Sequence, residues 1–383
     1  MAKVKLGIIG AGNMGSSHLR NALEGKMPEI EVVAIADRQE TRRNLAKEKS
    51  ESLQIFAEGE DLIDSGVCDA VLIAVPHYQH PELAIKALNK GLHVMCEKPA
   101  GVYTLAVREM NAVAEKCDKT FAMMFNQRTN CVYRKMREII KSGEMGAIKR
   151  VNWIITDWYR TDAYYASGDW RATWDGEGGG VLLNQCPHNL DLLQWICGMP
   201  TKVKSFCHNG KWHDIEVEDD VTTYMEYENG ATGVFITTTG DFPGTNRFEI
   251  TLEMGKLIVE DNKLIMHKIE QNEREFCRTA ENGFAKQPVE ISEVETDGEN
   301  PQHVGVLNAF AANILRGEPL IAAGEEGING LMLSNAMHLS SWLDQTVELP
   351  FDEEKFLEEL NKRRATSKIK TVEAKVFDTS GSY

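Results

Sequence analysis

Positive charge is scarce in this chain. Its 42 Lys and Arg face 58 Asp and Glu, a formal net charge of −16, and that excess argues against sequence-independent binding to nucleic acid or to an anionic membrane surface. The one basic cluster, Lys362-Arg363-Arg364, reads as a solvated helix end. No apolar run approaches the length of a membrane span. Met1-Ala2-Lys3 leads straight into a strand pattern with no room for a signal peptide, so a cytoplasmic location is expected. Paired cysteines are missing as well. The 8 cysteines, Cys68, Cys96, Cys117, Cys131, Cys186, Cys197, Cys207 and Cys277, form no Cys-x-x-Cys pair and no Cys/His cluster at zinc spacing, so no metal is expected and buried reduced thiols are the economical reading. Internal repeats and low-complexity tracts are also absent. At 383 residues the chain exceeds most single cores, and two domains are the default expectation.

What is present begins at the first strand. Lys3 to Ile9 reads as a short buried strand, Gly10-Ala11-Gly12-Asn13-Met14-Gly15 as a turn, Ser16 to Leu23 as a helix, and Glu31 to Ala36 as a second strand ending at Asp37. A strand feeding a glycine turn that opens a helix is the context a dinucleotide-binding fingerprint requires. Gly10 permits the tight turn, Gly12 lets backbone approach a pyrophosphate, and Gly15 lets helix and strand pack closely, while the free N–H groups of the helix start attract the phosphates. Asp37 falls where adenosine ribose hydroxyls need an acceptor, which favours NAD; Arg38 beside it leaves NADP open, because a guanidinium pairs with a 2′-phosphate.

Alternation continues beyond Asp37. Helices over Glu40 to Lys49, Pro81 to Lys90 and Tyr103 to Cys117 separate strands at Gln54 to Phe56, Ala70 to Val75, Leu92 to Cys96 and Thr120 to Met123. Repeated βα units predict a doubly wound parallel sheet of Rossmann type, with ligands off the carboxyl ends of the strands. Ala74, Pro76, His77 and His80 follow one such end, and Glu97-Lys98-Pro99 follows another, so these residues are expected at the cofactor crevice. From about Val132 the pattern changes to a helix, a long strand over Ile148 to Trp158, an aromatic segment from Tyr159, Gly178-Gly179-Gly180, a helix over Val181 to Ile196, and then short strands joined by tight turns. The expected organisation is a nucleotide domain at 1–127, an α+β domain with a mainly antiparallel open sheet at 128–345, and a charged extension at 346–383. An apolar free face on that sheet would pair subunits as a homodimer or homotetramer.

Asn184, His188 and Asp191 stand at i, i+4 and i+7, so the expected helix aligns them on one face amid leucines. A satisfied internal network, with Asp191 holding His188, competes there with a ligand site; a metal site is weaker, because asparagine is a poor transition-metal ligand. With NAD nearby, neutral His188 suits the proton of an alcohol losing hydride, and the Lys98 ammonium suits the charge developing on the reacting oxygen. Trp170 and Arg171, in the aromatic segment, offer surfaces for the C–H faces and hydroxyl edges of a sugar; a structural loop packing its aromatics inward is equally compatible. His208 and His213 read as surface residues of a hairpin.

Taken together, the glycine turn, Glu97-Lys98-Pro99, and Gly178-Gly179-Gly180 with His188 and Asp191 resemble the glucose-fructose oxidoreductase and inositol dehydrogenase family (Gfo/Idh/MocA), over nearly the whole chain up to Asp344. The resemblance implies a Rossmann domain with a sheet-containing second domain, NAD or NADP, and a sugar, cyclitol or glycoside alcohol as substrate. It also implies that Lys98 touches substrate and nicotinamide ribose and that His188 is the acid/base. Many members carry aspartate four residues before that histidine, where this chain has Asn184, which is expected instead to hydrogen-bond a substrate hydroxyl. Two other classes fit the same residues: an NAD-retaining glycosidase that oxidises its sugar transiently, and a dinucleotide-binding sensor without turnover.

Overall fold

The computed structural model describes residues 2–368 and 370. Strands and helices alternate through β1 (Val4–Ile9), α1 (Asn13–Leu23), β2 (Ile30–Ala36), α2 (Glu40–Lys49), β3 (Gln54–Phe56), α3 (Gly59–Asp64), β4 (Ala70–Ile73), α4 (Gln79–Asn89), β5 (His93–Cys96), α5 (Thr104–Ala114) and β6 (Phe121–Met123). The central strands are apolar along both faces, a pattern that can be buried only in a sheet covered on two sides. They form a six-stranded sheet in the order β3-β2-β1-β4-β5-β6, every neighbouring pair parallel. Strand order reverses between β1 and β4, which opens a crevice beyond their carboxyl ends.

A 3-10 turn at Asn126–Thr129 leads into α6 (Cys131–Ser142), β7 (Ile148–Ile155), the short α7 (Asp162–Tyr165) and α8 (Pro187–Cys197). There follow β8 (Lys202–Asn209), β9 (Glu218–Glu226), β10 (Thr232–Thr238), β11 (Asn246–Leu252), β12 (Gly255–Glu260), β13 (Lys263–Ile269), α9 (Glu273–Thr279), β14 (Val289–Glu293), α10 (Gln302–Arg316), α11 (Gly327–Leu343), β15 (Val347–Glu348) and α12 (Glu353–Arg364). The strands join in a nine-stranded sheet, β14-β13-β12-β11-β7-β10-β9-β8-β15. It is not the plain meander the sequence suggests. β7 inserts between β11 and β10 and runs parallel to β10, because its fully buried Trp153 is the centre of the packing, stacked on Phe248 at 4.1 Å and edge-on to Phe235 at 6.2 Å. Helices α8 and α11 pack on each other, and α11 lies on β8. On the opposite face, the same rows of the sheet expose Ile154, Phe206 and Tyr224.

Helix α10 returns to the first sheet. Its stripe Val306, Leu307, Phe310 and Ala311 joins the core around Leu6, Ile8 and Ile35, although its place in the sequence suggests the second domain. Beyond residue 345, β15 pairs with β8, and Phe356 of α12 stacks on Trp342 of α11 at 5.2 Å; residues 369 and 371–383 lie outside the described residues. All eight cysteines are unpaired, and Cys277 is exposed rather than buried. Among the described residues no helix is long and apolar enough to cross a membrane.

Candidate active site

The glycine turn separates two kinds of demand. Gly10 has φ +98°, and a Cβ there would lie 2.3 Å from the Ala74 carbonyl oxygen at the end of β4; a Cβ at Gly15 would lie 1.8 Å from the oxygen of Gly10. The protein's own packing requires both glycines. Gly12 is different, since a Cβ there would meet nothing nearer than Arg42 Nη1 at 3.6 Å. Asn13 and Met14 form the first turn of α1, whose N-cap, Gly12, has no side chain to cap it, and a helix start of this kind attracts an anion. These residues fit a dinucleotide pyrophosphate.

Asp37 is pinned beside the turn, Oδ2 accepting from the Ala11 N–H at 2.7 Å and Oδ1 from the Gln39 N–H at 2.8 Å. Arg38, the cation singled out by the sequence, pairs with Glu58 at 2.8 Å on the exposed surface. The guanidinium next to the Asp37 carboxylate belongs to Arg42, 3.6 Å away, while Arg43 donates to the Asp37 carbonyl at 2.8 Å. Sequence reasoning missed Arg42; the signal was its place in the first turn of α2, which carries it back over the end of β2.

At the other strand ends the predicted residues divide. Pro76 starts the turn into α4, its carbonyl accepting from the Gln79 N–H at 3.0 Å. His80 does not line the crevice: its ring lies between the carbonyls of Pro99 at 2.7 Å and Val75 at 2.8 Å, tying two strand-end loops together. His77 reaches the second domain, with Nδ1 3.1 Å from the Glu177 carbonyl and its ring edge-on to Trp170 at 5.7 Å. Glu97 is buried against His18 at 2.7 Å and anchors the loop. Lys98 is partly buried and crosses to the second domain, Nζ donating to the Asn184 carbonyl at 2.9 Å.

The helix bearing His188 begins later than its leucine pattern suggests. Residues 181–186 are turns, and Pro187 is the first residue of α8, so Asn184 precedes the helix and does not share a face with His188. His188 is 2 % exposed, with its ring edge-on to Phe125 at 6.5 Å. Burial, the Lys98 charge and then His303 hold its pKa well below the ordinary imidazole value. Lys98 is itself lowered, by loss of solvent first, with Glu97 opposing and Arg171 and Arg160 reinforcing the shift. The oxygens of Asp191, expected to orient His188, are engaged by Arg128 Nε at 2.8 Å, Arg128 Nη2 at 2.7 Å and Gln194 at 3.0 Å. Arg128 stands in the 3-10 turn just past β6, so this pair clamps α8 to the segment that leaves the first sheet.

The aromatic segment closes the far wall. Arg171 lies over Tyr164 at 4.4 Å and Trp170 at 4.6 Å and donates to the Tyr164 hydroxyl at 2.7 Å. Asn184 bonds the Tyr164 hydroxyl at 3.2 Å and contacts Glu177, a buried carboxylate that sequence reasoning missed. His213 is half-buried rather than exposed, bridging Asp219 and the Arg160 carbonyl at 2.9 Å each.

Comparison with known proteins agrees with this geometry. The NAD-binding Rossmann-fold model of the GFO/IDH/MocA oxidoreductase family matches residues 4–126, and the family's C-terminal domain model matches residues 133–258. The chain is 30% identical over 206 residues to the rhizopine catabolism protein MocA of Rhizobium meliloti, covering 53% of this chain and 61% of that protein. It is 24% identical over 353 residues to myo-inositol 2-dehydrogenase of Thermotoga maritima, covering 90% and 98%. The chain thus spans under two thirds of MocA, and likewise 64% of the inositol 2-dehydrogenase of Corynebacterium glutamicum, to which it is 25% identical over 236 residues, or 59% of this chain. In structure it is similar to the WlbA dehydrogenase of Chromobacterium violaceum, solved with NADH and UDP-GlcNAcA, with TM-score 0.79 and 25% identity over 92% of this chain and 97% of that one. With both domains matched and Lys98 meeting the His188 segment across one crevice, the chain belongs to the GFO/IDH/MocA oxidoreductase family and carries its NAD-binding Rossmann domain.

Proposed function

We propose that the chain is a nicotinamide-dependent dehydrogenase or reductase acting on a secondary alcohol of a sugar, cyclitol or glycoside. The observation that carries this reading is the contact between domains, Lys98 Nζ at 2.9 Å from the Asn184 carbonyl just ahead of the His188 helix. NAD bound at the glycine turn supplies the hydride acceptor. His188, kept neutral by burial, takes the hydroxyl proton, and the Lys98 ammonium stabilises the negative charge that develops on the same oxygen. Asn184, Trp170 and Arg171 face the substrate, and Asp37 favours NAD over NADP by accepting from the ribose. Relatives named inositol 2-dehydrogenase and D-glucoside 3-dehydrogenase support the substrate class. The exposed row Ile154, Phe206 and Tyr224 supports a homo-oligomer formed through the open sheet face.

The reading is tested by offering the purified protein NAD or NADP with cyclitols, free sugars and glycosides, following both nicotinamide absorbance and aglycone release. Net NADH formation with a polyol is the expected result. Aglycone release without net NADH would replace the dehydrogenase by an NAD-retaining glycosidase, and silence with every compound despite tight NADH binding would replace it by a sensor.

A further inference from the structure

Position 184 is an amide, yet the crevice does not lack a buried carboxylate. Glu177, immediately before the triple glycine, is 2 % exposed. Its Oε2 accepts the Ala172 N–H at 2.6 Å, its Oε1 takes a hydrogen bond from the Asn184 amide, and Arg171 Nη1 lies 3.7 Å from that same oxygen. Asn184 Oδ1 faces two donors, the Tyr164 hydroxyl at 3.2 Å and Gln185 Nε2 at 3.4 Å. These neighbours fix the direction of the amide. Turned over, its NH2 would meet the Gln185 NH2 and its oxygen would meet a carboxylate. The carbonyl of the same asparagine receives the Lys98 ammonium. One line of contacts therefore runs from Glu177 through Asn184 to Lys98.

We propose that Glu177 is a positioning residue of this site: it holds Asn184, and through that backbone Lys98, so that the carboxylate stands at 177 beside an amide at 184, where the family resemblance implies an aspartate. The inference rests on the reading of Lys98 as the group that polarises the substrate oxygen. A carboxylate is required at 177 because both of its oxygens accept from N–H donors. Glutamine has one acceptor oxygen, and its NH2 must then face either the Ala172 N–H or the Asn184 NH2. Its neutrality also leaves Arg171 beside Lys98 without a counter-charge.

Reversing the polarity of the pair is the test. Glu177→Gln should lower kcat about 100-fold with NADH affinity unchanged, since a misplacement of about 1 Å is enough to move reacting groups out of register. Asn184→Asp alone places two carboxylates in contact and should lower both kcat and the unfolding temperature. The double variant Glu177→Gln/Asn184→Asp restores the matches to Ala172 and between the two side chains, with the glutamine oxygen on Ala172 and its NH2 on the new carboxylate, which also returns a negative charge beside Arg171. It should recover kcat to within about tenfold of wild type and regain most of the lost unfolding temperature, a coupling far from additive. If Glu177→Gln fails to fold, the double variant decides alone, and its failure to recover stability and turnover overturns the proposal. Additive losses, or a folded Glu177→Gln variant with wild-type kcat, overturn it too. Should wild type oxidise no polyol, the dehydrogenase reading fails, while the unfolding-temperature cycle still tests the reversed pair: additivity there overturns it without reference to turnover.

Discussion

Replacing Asp191 with alanine separates a structural clamp from a proton relay. Both side chains of the Arg128–Asp191 pair are 1 % exposed, and the substitution deletes the guanidinium bonds at 2.8 and 2.7 Å together with the Gln194 bond at 3.0 Å. Removing one partner of a buried ion pair costs roughly 3–5 kcal/mol, because the other charge is left in low dielectric. Here Glu326, 41 % exposed and 2.6 Å from Arg128 Nη1, remains as a second counter-ion, which sets the expectation at the lower end, about 3 kcal/mol. Urea unfolding followed by tryptophan fluorescence reads the loss, and Trp195, 5.2 Å from the Arg128 guanidinium, reports locally. Turnover should fall as well, since the pair fixes α8 and hence His188 against the turn that leaves β6. The decisive variant is Arg128→Met/Asp191→Leu, an apolar substitute of similar volume that should restore stability to within about 1 kcal/mol and turnover with it. A stable double variant without turnover, or an Asp191→Asn protein that unfolds like wild type yet is inactive, would mean that the carboxylate serves His188 directly and that the clamp argument is wrong.

Other outcomes follow from the same geometry. Gly12→Ala should leave the urea midpoint near that of wild type, because only the flexible end of Arg42 lies within 4 Å of the new Cβ, but should weaken NADH binding in a fluorescence titration; Gly10→Ala, which drives a Cβ to 2.3 Å from backbone, should lose fold and binding together. The rate of alcohol oxidation should follow two limbs. Burial lowers the His188 pKa, so the neutral base is lost only as pH falls well below 6.5, and the Lys98 ammonium is lost as pH rises through a value under 10.5; a measured acid limb above 6.5 would contradict the buried imidazole. Stability carries the same sign. His77, His188 and His303, the last lowered to about 4, take up protons on unfolding, so the unfolding free energy should decline as pH drops below 6.5. Ile154→Lys on the open sheet face should shift the mass by light scattering toward the monomer, and an unchanged mass would remove that face from assembly.

The first domain was legible because its signals are local. A glycine turn between a buried strand and a helix admits few structures, and the parallel sheet formed as its apolar runs predicted. Lys98 was readable for the same reason, a polar residue at a strand end next to proline. The misreadings share a different cause, contacts distant in sequence. Pro187 starts the helix late and leaves Asn184 ahead of it, a local start signal written in the sequence but masked by the apolar residues around it. Asp191 met Arg128, 63 residues away, and His80 met carbonyls on two loops, pairings that no periodicity encodes. Helix α10 shows the limit most clearly, since its apolar stripe says that it packs but not on which sheet. Glu177 escaped because a single acid in an aromatic loop looks solvated until the fold buries it.

Isotope transfer tests the central claim most directly. A polyol deuterated at its oxidised carbon is incubated with NAD and wild-type, Lys98→Met or His188→Ala protein, and the nicotinamide is read by NMR. Deuterium should appear on the ring with wild type and fall by two to four orders of magnitude with either variant, in line with the usual worth of a positioned acid or base, while both variants still bind NADH. Label transferred as fast by His188→Ala as by wild type would show that the imidazole takes no part in moving the proton.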